Sequence, residues 1–486
     1  MQSAEKELDI STFKSIFQKS ADVQFQEYTF NDHKITFITC DAMVDSQLLN
    51  EVVVKRVSIF MDDLKDTSID QDNLTQLHLP SFQQVKAKKD AISLVYTGHV
   101  LLYFEDVEIL ISSNIARKPN RSPEETKIGP PIKGPRDNFI EDISVNIALI
   151  RKRLPTNSLC VEKFELGKRS KTKVALLYFD DIASKEILYA IKKQLKKVDT
   201  DIVLSGDSLM EVVNKSDKLF PRNDYTGRPD KAVQSIVKGR FLILVDGVAY
   251  AIITPVNLFL LLKAGEDLET SVIYSSLERL LRLLGMAIGI LLPAFWLALT
   301  TFHQDQLPYQ LLATVVQANT GLPLPSALEM ILMVVMFELF RESGLRLPSA
   351  LGGTIGVVGG LIIGDAAIRA GITSPAMIVI IATSTIATFT LVNQTLVTAV
   401  SVMRICFIFL TAFLGLFGFY MSFFLMVLYL SNIRVFGVPY INTSADLSWD
   451  TIKKSFLRLP PEAYKERPNE INPIDKTRTS EGKNEK

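Results

Sequence analysis

Acidic residues are the best-placed candidates for chemistry in this chain. Asp41, Asp180 and Asp181 stand where an apolar, β-rich run gives way to a helical pattern. A carboxylate pair at such a place suits general acid–base work. Capping the first free N–H groups of a helix is the simpler role, and it is the reading adopted for all three. No glycine-rich phosphate loop follows either strand, no His/Asp/Glu set has metal-ligand spacing, and no GxSxG elbow occurs. The four histidines, His33, His78, His99 and His303, are scattered. Cys40, Cys160 and Cys406 form no CxxC pair and read as free, reduced thiols. The sequence therefore predicts a protein that is not an enzyme, with no catalytic residue, cofactor or metal site.

A second set of charges lies in the apolar half. Glu329, Glu338 and Asp365 are acids where charge is expensive and often functional, with Arg341, Arg346 and Arg369 as candidate partners. Two readings stay open: a cation path, or ion pairing near a membrane surface. Glu338 with Arg341, and Glu342 with Arg346, have helical i, i+3 or i+4 spacing. Beside them runs a glycine ladder, Gly352, Gly356, Gly360 and Gly364, in an uncharged stretch from Leu347 to Ile363. Each interior glycine costs a helix roughly 1 kcal/mol relative to alanine. Four on nearly one face let another backbone approach closely, by small-xxx-small packing. The ladder is either a packing helix in lipid or a helix around a pore. In the second case Val357, Val358, Leu361, Ile362 and Asp365 are the gate or pore candidates, since apolar constrictions close by dewetting.

The elements that must position these residues follow from a division in the chain. Charges are frequent before about Ala264, sparse from Leu283 to Leu430, and frequent again after Pro439. Net charge is zero, which argues against nucleic acid as a partner. The first residues, MQSAEKELDISTFK, have no apolar core of a signal peptide, so the front half is expected to stay cytoplasmic. Leu283–Phe302 is long enough to span a membrane. Ala327–Phe340 is too short and reads as re-entrant or interfacial. The ladder helix is placed at about Pro348–Ile368. Ser374–Met403 is too long for one straight span and is interrupted at Asn393-Gln394. Ile405–Leu430 is a span with some tilt. Basic residues before the first span and after the last put both ends in the cytoplasm, which requires an even number of crossings. About four, plus the short segment, satisfies this in a polytopic α-helical membrane domain over 263–436. A polar cytoplasmic tail is assigned to 437–486.

The soluble half reads as a duplication. Lys34 to Asp41 resembles Lys173 to Asp180, and the strands starting at Gly98 resemble those starting at Gly239. Strand, helix, then paired strands makes an α/β lobe. The assignment is an N-terminal arm over 1–30, α/β lobe 1 over 31–127, a linker turn and helix over 128–155, and a similar α/β lobe 2 over 156–262. Asp246-Gly247 marks a hairpin, so Phe241–Leu262 is not a span. In the linker, a helix is expected from near Asp137, with Ile140, Ile143, Ile147, Ile150 and Leu154 as its apolar stripe. Arg151, Lys152 and Arg153 then end it in keeping with its dipole. Arg136, Asp137, Glu141 and Asp142, beside the Gly134-Pro135 turn, are either part of a plain linker or contacts to a neighbouring subunit.

The run GPRDNFIEDISVNIALIRKRL resembles the signature of the spore germination receptor A-subunit (GerA) family. So do GRFLILVDGVAYAIITP, LLPAFWLALTTFHQDQLP, MFELFRESGLRLP, VVGGLIIGDAAIRAGITSPAMIVI and VFGVPY, in the family's order from Ile128 to Tyr440. One departure is Val392-Asn393, where the family often has Pro-Asn. The resemblance implies a multi-pass protein of the spore inner membrane. It implies a transporter-like B subunit that recognises the nutrient, a C subunit lipoprotein, and a ring-shaped homo-oligomer in lipid that passes ions. It also implies a two-lobed N-terminal half. The alternative is a non-channel scaffold that relays the B subunit's signal. A secondary transporter fits less well, for want of an inverted repeat of broken helices.

Overall fold

Apolar alternation in the front half and long uncharged runs in the back half build two compact units. The structure is a computed structural model that describes residues 9–31, 33–64, 71–117, 135, 137–214, 219–346, 364–441 and 448–478. The first unit takes in the described parts of Met1–Ser216, Asn223–Pro255 and Tyr464–Lys486, and the second those of Asp217–Arg222 and Val256–Ala463.

The first unit opens with α1 (Ile10–Phe17), capped by Asp9. Then β1 (Val23–Phe30) and β2 (His33–Cys40) pair antiparallel, with Val23 opposite Cys40 and Phe30 opposite His33. A helical turn at Ser46–Leu48 leads into α2 (Lys55–Asp63). With β3 (Gln83–Gln84), α3 (Lys88–Tyr96), β4 (His99–Phe104) and β5 (Ile109–Asn114), the strands form one sheet of order β1-β2-β4-β5-β3. Side chains alternate across a strand. Ile35 and Phe37 of β2 therefore join one core with Val57 and Phe104. Ile38 and Cys40 join another with Phe13, Phe17 and Tyr96. Cover on both faces is why β2 reads as a near-continuous apolar run. β1 falls within the arm expected over 1–30, and its full-length register with β2 makes it an edge strand of the sheet instead.

The second sheet follows α4 (Ile143–Arg153). It is built from β6 (Leu159–Leu166), β7 (Thr172–Phe179), α5 (Lys185–Leu195), α6 (Gly206–Asn214), β8 (Asp224–Thr226), α7 (Pro229–Val237), β9 (Phe241–Val245) and β10 (Ala251–Thr254). Its order, β6-β7-β9-β10-β8, repeats the first sheet strand for strand. β2 and β7, and β4 and β9, hold equivalent places, and these are the segments that match in sequence. All pairings are antiparallel. Gly247, at φ +81°, turns the chain between β9 and β10.

Three local features differ from the sequence expectation. α4 begins at Ile143 rather than near Asp137, because Asp142 caps it and accepts from the N–H groups of Ser144 and Val145 at 2.7 and 3.4 Å. Arg151 does not serve the helix dipole at a solvated end, because it turns into the core and is fully buried. Asp41 and Asp180 do not cap the helices after β2 and β7. Asp45 caps the first, while Asp180 holds Lys19 and Lys185 at 2.7 and 2.6 Å. A loop separates strand from helix in both places, so an acid directly after the strand stands too early to cap. Asp181 is exposed.

The second unit is helical. α8 (Val272–Thr301) carries Pro293, and it is followed by α9 (Tyr309–Asn319), α10 (Ser326–Arg346), α11 (Gly364–Arg369), α12 (Pro375–Thr388) and α13 (Gln394–Asn432). α10 is 21 residues long, not the short segment expected, and its charged residues lie within the helix. The break expected near Asn393 is present: Asn393 caps α13, accepting from the Thr395 and Leu396 N–H groups at 3.0 and 3.2 Å. No proline is needed for it. α13 departs from helical geometry at Gly415, φ +58°, where an added Cβ would lie 2.9 Å from Cβ of Phe302. Among the described residues, two helices, α8 and α13, are long and apolar enough to cross a membrane. The VFGVPY motif is a hairpin, Arg434–Val435 with Val438–Pro439, turned by Phe436 and Gly437 at φ +49° and +87°. Positive φ at both central residues is the type I′ geometry that hairpins favour.

The segment after 437, expected as a plain polar tail, is built into the fold. α14 (Trp449–Phe456) stacks Phe456 on Phe259 in the helical unit, ring centroids 4.9 Å apart. From Tyr464 on, the chain belongs to the first unit. There Ile471 is buried, the Ile474 N–H donates to the Ile182 carbonyl at 2.9 Å, and Glu470 pairs with the buried Arg240 at 2.8 Å.

Candidate functional site

In the helical unit, α10, α12 and α13 bring together acids and arginines distant in sequence. Glu329, in the first turn of α10, is 1% exposed. Its Oε1 accepts from Thr373 Oγ1 at 2.7 Å, from the Ser374 N–H at 2.6 Å and from Ser374 Oγ at 3.0 Å. Ser374 is the N-cap of α12. A carboxylate is stabilised there by free N–H groups and by the positive end of the helix dipole. Glu329 thus fastens α10 to the start of α12.

Further along α10, Glu338 holds Arg341 at 2.8 Å and reaches Arg404 of α13 at 4.0 Å. Arg341 donates to Ser401 Oγ at 2.5 Å, and Arg404 to Thr385 Oγ1 at 3.3 Å. Arg404 is 1% exposed. Its Nε and Nη2, and the Nε of Arg341, meet no hydrogen-bond partner among the described residues. The cluster therefore sets two guanidinium groups, that of Arg404 fully buried, against one half-buried carboxylate. Glu338 and Arg341 were legible as an i, i+3 pair. Arg404 stands between the apolar runs Ser374–Met403 and Ile405–Leu430. It is the one charged residue between Arg369 and Arg434, and that isolation was the signal.

α8 packs on α12 through Gly285 and Gly289. A Cβ at Gly285 would meet Thr390 Oγ1 and lie 2.6 Å from the Ala387 carbonyl oxygen; at Gly289 it would lie 2.7 Å from Thr388 Cγ2. Ser384 Oγ donates to the Gly289 carbonyl at 3.0 Å. This is small-xxx-small packing at a pair the sequence reading passed over. Of the ladder, Gly352, Gly356 and Gly360 lie outside the described residues, as do the gate candidates Val357, Val358, Leu361 and Ile362. A Cβ at Gly364 would find only Ile378 Cγ2 within 4 Å, at 3.9 Å. Asp365 pairs with Arg369 at 2.8 Å, with both side chains largely exposed.

The interface candidates fall apart in the first unit. Arg136 lies outside the described residues. Asp137 is held by Arg153, both oxygens at 2.6 Å. Asp142 caps α4, and Glu141 is exposed. The centre that links α4 to the first sheet is a different one. Arg151 forks onto Asp22, Nε to Oδ2 at 2.8 Å and Nη2 to Oδ1 at 3.0 Å, and stacks over Tyr96 at 4.2 Å. Burial pushes the Tyr96 hydroxyl up to about 12. Burial, then the charge of Asp22, pushes the Cys40 thiol well above its usual range. Neither group titrates near neutral pH, so the centre is a structural lock. Cys40 and Cys160 are buried free thiols, and Cys406 is exposed.

The model of the Bacillus/Clostridium GerA spore germination protein family matches residues 11–470. Spore germination protein XA of Bacillus anthracis is 38% identical over 447 residues, which cover 91% of each chain. Spore germination protein KA of Bacillus subtilis is 30% identical, over 97% of this chain and 87% of its own. Among solved structures, the N-terminal domain of the A subunit of the Bacillus megaterium spore germinant receptor GerK3 aligns at a TM-score of 0.41 and 23% identity, over 52% of this chain and 98% of that one. The family model's match over residues 11–470, together with the Bacillus anthracis and Bacillus subtilis relatives, places the chain in the GerA family of spore germination proteins.

Proposed function

We propose that this chain is the A subunit of a nutrient germinant receptor in the spore inner membrane. It acts as one protomer of a homo-oligomer that passes ions when germinant binds to its partner subunits. The family match from residue 11 to residue 470 carries the reading. In this reading the membrane domain is multi-pass and the two-sheet half is cytoplasmic. A transporter-like B subunit supplies nutrient recognition, and a C subunit lipoprotein completes the complex. The ladder glycines Gly352, Gly356, Gly360 and Gly364 pack the ring, with Val357, Val358, Leu361 and Ile362 as its constriction. Glu141, exposed beside the linker helix, is the remaining described candidate for a contact between subunits. Glu338 and Arg341, beside the buried Arg404, add a charged site of the kind that membrane proteins keep for function.

Electrical recording on the reconstituted receptor tests this. Germinant is expected to open a conductance that requires this subunit. A receptor that binds germinant and signals without conductance would make the A subunit a relay scaffold instead.

A further inference from the structure

We infer that the helical unit holds a small monovalent anion between α10, α12 and α13, bound by the guanidinium groups of Arg341 and Arg404. Guanidinium groups stay protonated in proteins, so Arg341, Arg404 and Glu338 together carry one excess positive charge. Arg404 is 1% exposed, and the described side chains that accept from these arginines, besides Glu338, are the neutral hydroxyls of Ser401 and Thr385. An uncompensated buried charge is strongly destabilising.

Hydrogen bonding points the same way. Arg404 Nε, Arg404 Nη2 and Arg341 Nε are buried donors that meet no partner among the described residues. Leaving such donors unpaired incurs their full desolvation penalty. The nearby acids of the chain are committed elsewhere. Glu329 is taken up at the start of α12, and Asp365 pairs with Arg369. Glu342 lies on an exposed side of α10. Glu338 bridges toward both arginines, at 2.8 and 4.0 Å, and cannot neutralise both. Ser401 accepts from Arg341 and keeps its own proton to donate. An acceptor with a single negative charge, of halide or small carboxylate size, satisfies both the charge and the donors. The site does not depend on whether the oligomer conducts.

The test uses the full-length protein in detergent, exchanged into sodium gluconate and titrated with sodium chloride or sodium acetate at constant ionic strength. Thermal unfolding is the readout, because a ligand that binds only the folded state raises the midpoint saturably. Chloride or acetate is expected to raise the midpoint, and the bulkier gluconate is not. R404M is expected to abolish the dependence. E338Q leaves the cluster one charge more positive, so its half-saturating chloride concentration should fall, by roughly tenfold for a charge removed at this range. A wild-type midpoint indifferent to the anion overturns the inference, and so does an equal rise in gluconate. Should R404M fail to fold, E338Q still decides: unchanged or weaker chloride dependence overturns the site.

Discussion

Arg151 and Asp22 show how much one residue's placement decides. The pair is buried, bidentate and stacked on Tyr96. Removing one partner of such a pair costs about 3–5 kcal/mol, because the other charge is left alone. D22A should lower the unfolding midpoint of the first unit strongly, and adding R151M should recover part of the loss. Additive losses would mean the pair is not coupled. Asp180 carries a pH signature. Burial would raise its carboxyl, but hydrogen bonds from Lys185 and Lys19 outweigh burial and hold it below 3.8. A depressed carboxylate stabilises the fold above its unfolded value, and that contribution is lost as pH falls through the folded value. The lysines are half exposed, so the contribution is small, about 0–1 kcal/mol. D180N should be slightly less stable than the parent at pH 7 and converge with it in acid. A gap that widens in acid would reverse the assignment.

At the scale of elements, two contacts carry predictions. α8 meets α12 at Gly285, where a Cβ would lie 2.6 Å from a carbonyl oxygen of the other helix. Backbone cannot yield there as a flexible side chain can, so G285L should separate the helices, at about 1–3 kcal/mol or more. G364A meets only a methyl group at 3.9 Å and should stay within about 0.5 kcal/mol of the parent. Protease susceptibility and thermal unfolding of the purified variants check both. The folded tail carries the other prediction. Burial lowers the Arg240 guanidinium from its usual value, and Glu470 acts against that. E470A leaves a buried cation without its ion pair, at about 3–5 kcal/mol. Deleting the chain from Tyr464 onward should destabilise the first unit as much or more. A stable first unit after truncation would mean that Arg240 finds another partner.

For the whole molecule, the proposed gate makes a cellular prediction. An apolar constriction opens when it becomes wettable. V358S or L361S should therefore release ions and start germination without nutrient. Spores that stay dormant and ion-tight would move the gate away from this segment. The Glu338, Arg341 and Arg404 cluster is independent of that outcome, since its elements are α10, α12 and α13.

The sequence by itself determined the division between a charged front half and an apolar back half, the repeated strand pattern, the β9–β10 hairpin and the interruption before α13. These follow from local periodicity and from residues such as Gly247 and Asn393, whose backbone preferences act at short range. It also determined the family, through blocks of sequence spread over most of the chain. Only the tertiary structure decided which charges are buried together. Arg151 looked like a helix terminator and Arg404 stands alone between two apolar runs, yet each is buried against residues of other elements: Asp22 for the first, Glu338 and Thr385 for the second. The same holds for the tail, whose Glu470 meets Arg240 across more than two hundred residues. Such pairings are set by how sheets and helices stack. A one-dimensional pattern records that a side chain is charged, but not which opposite charge the packing brings beside it.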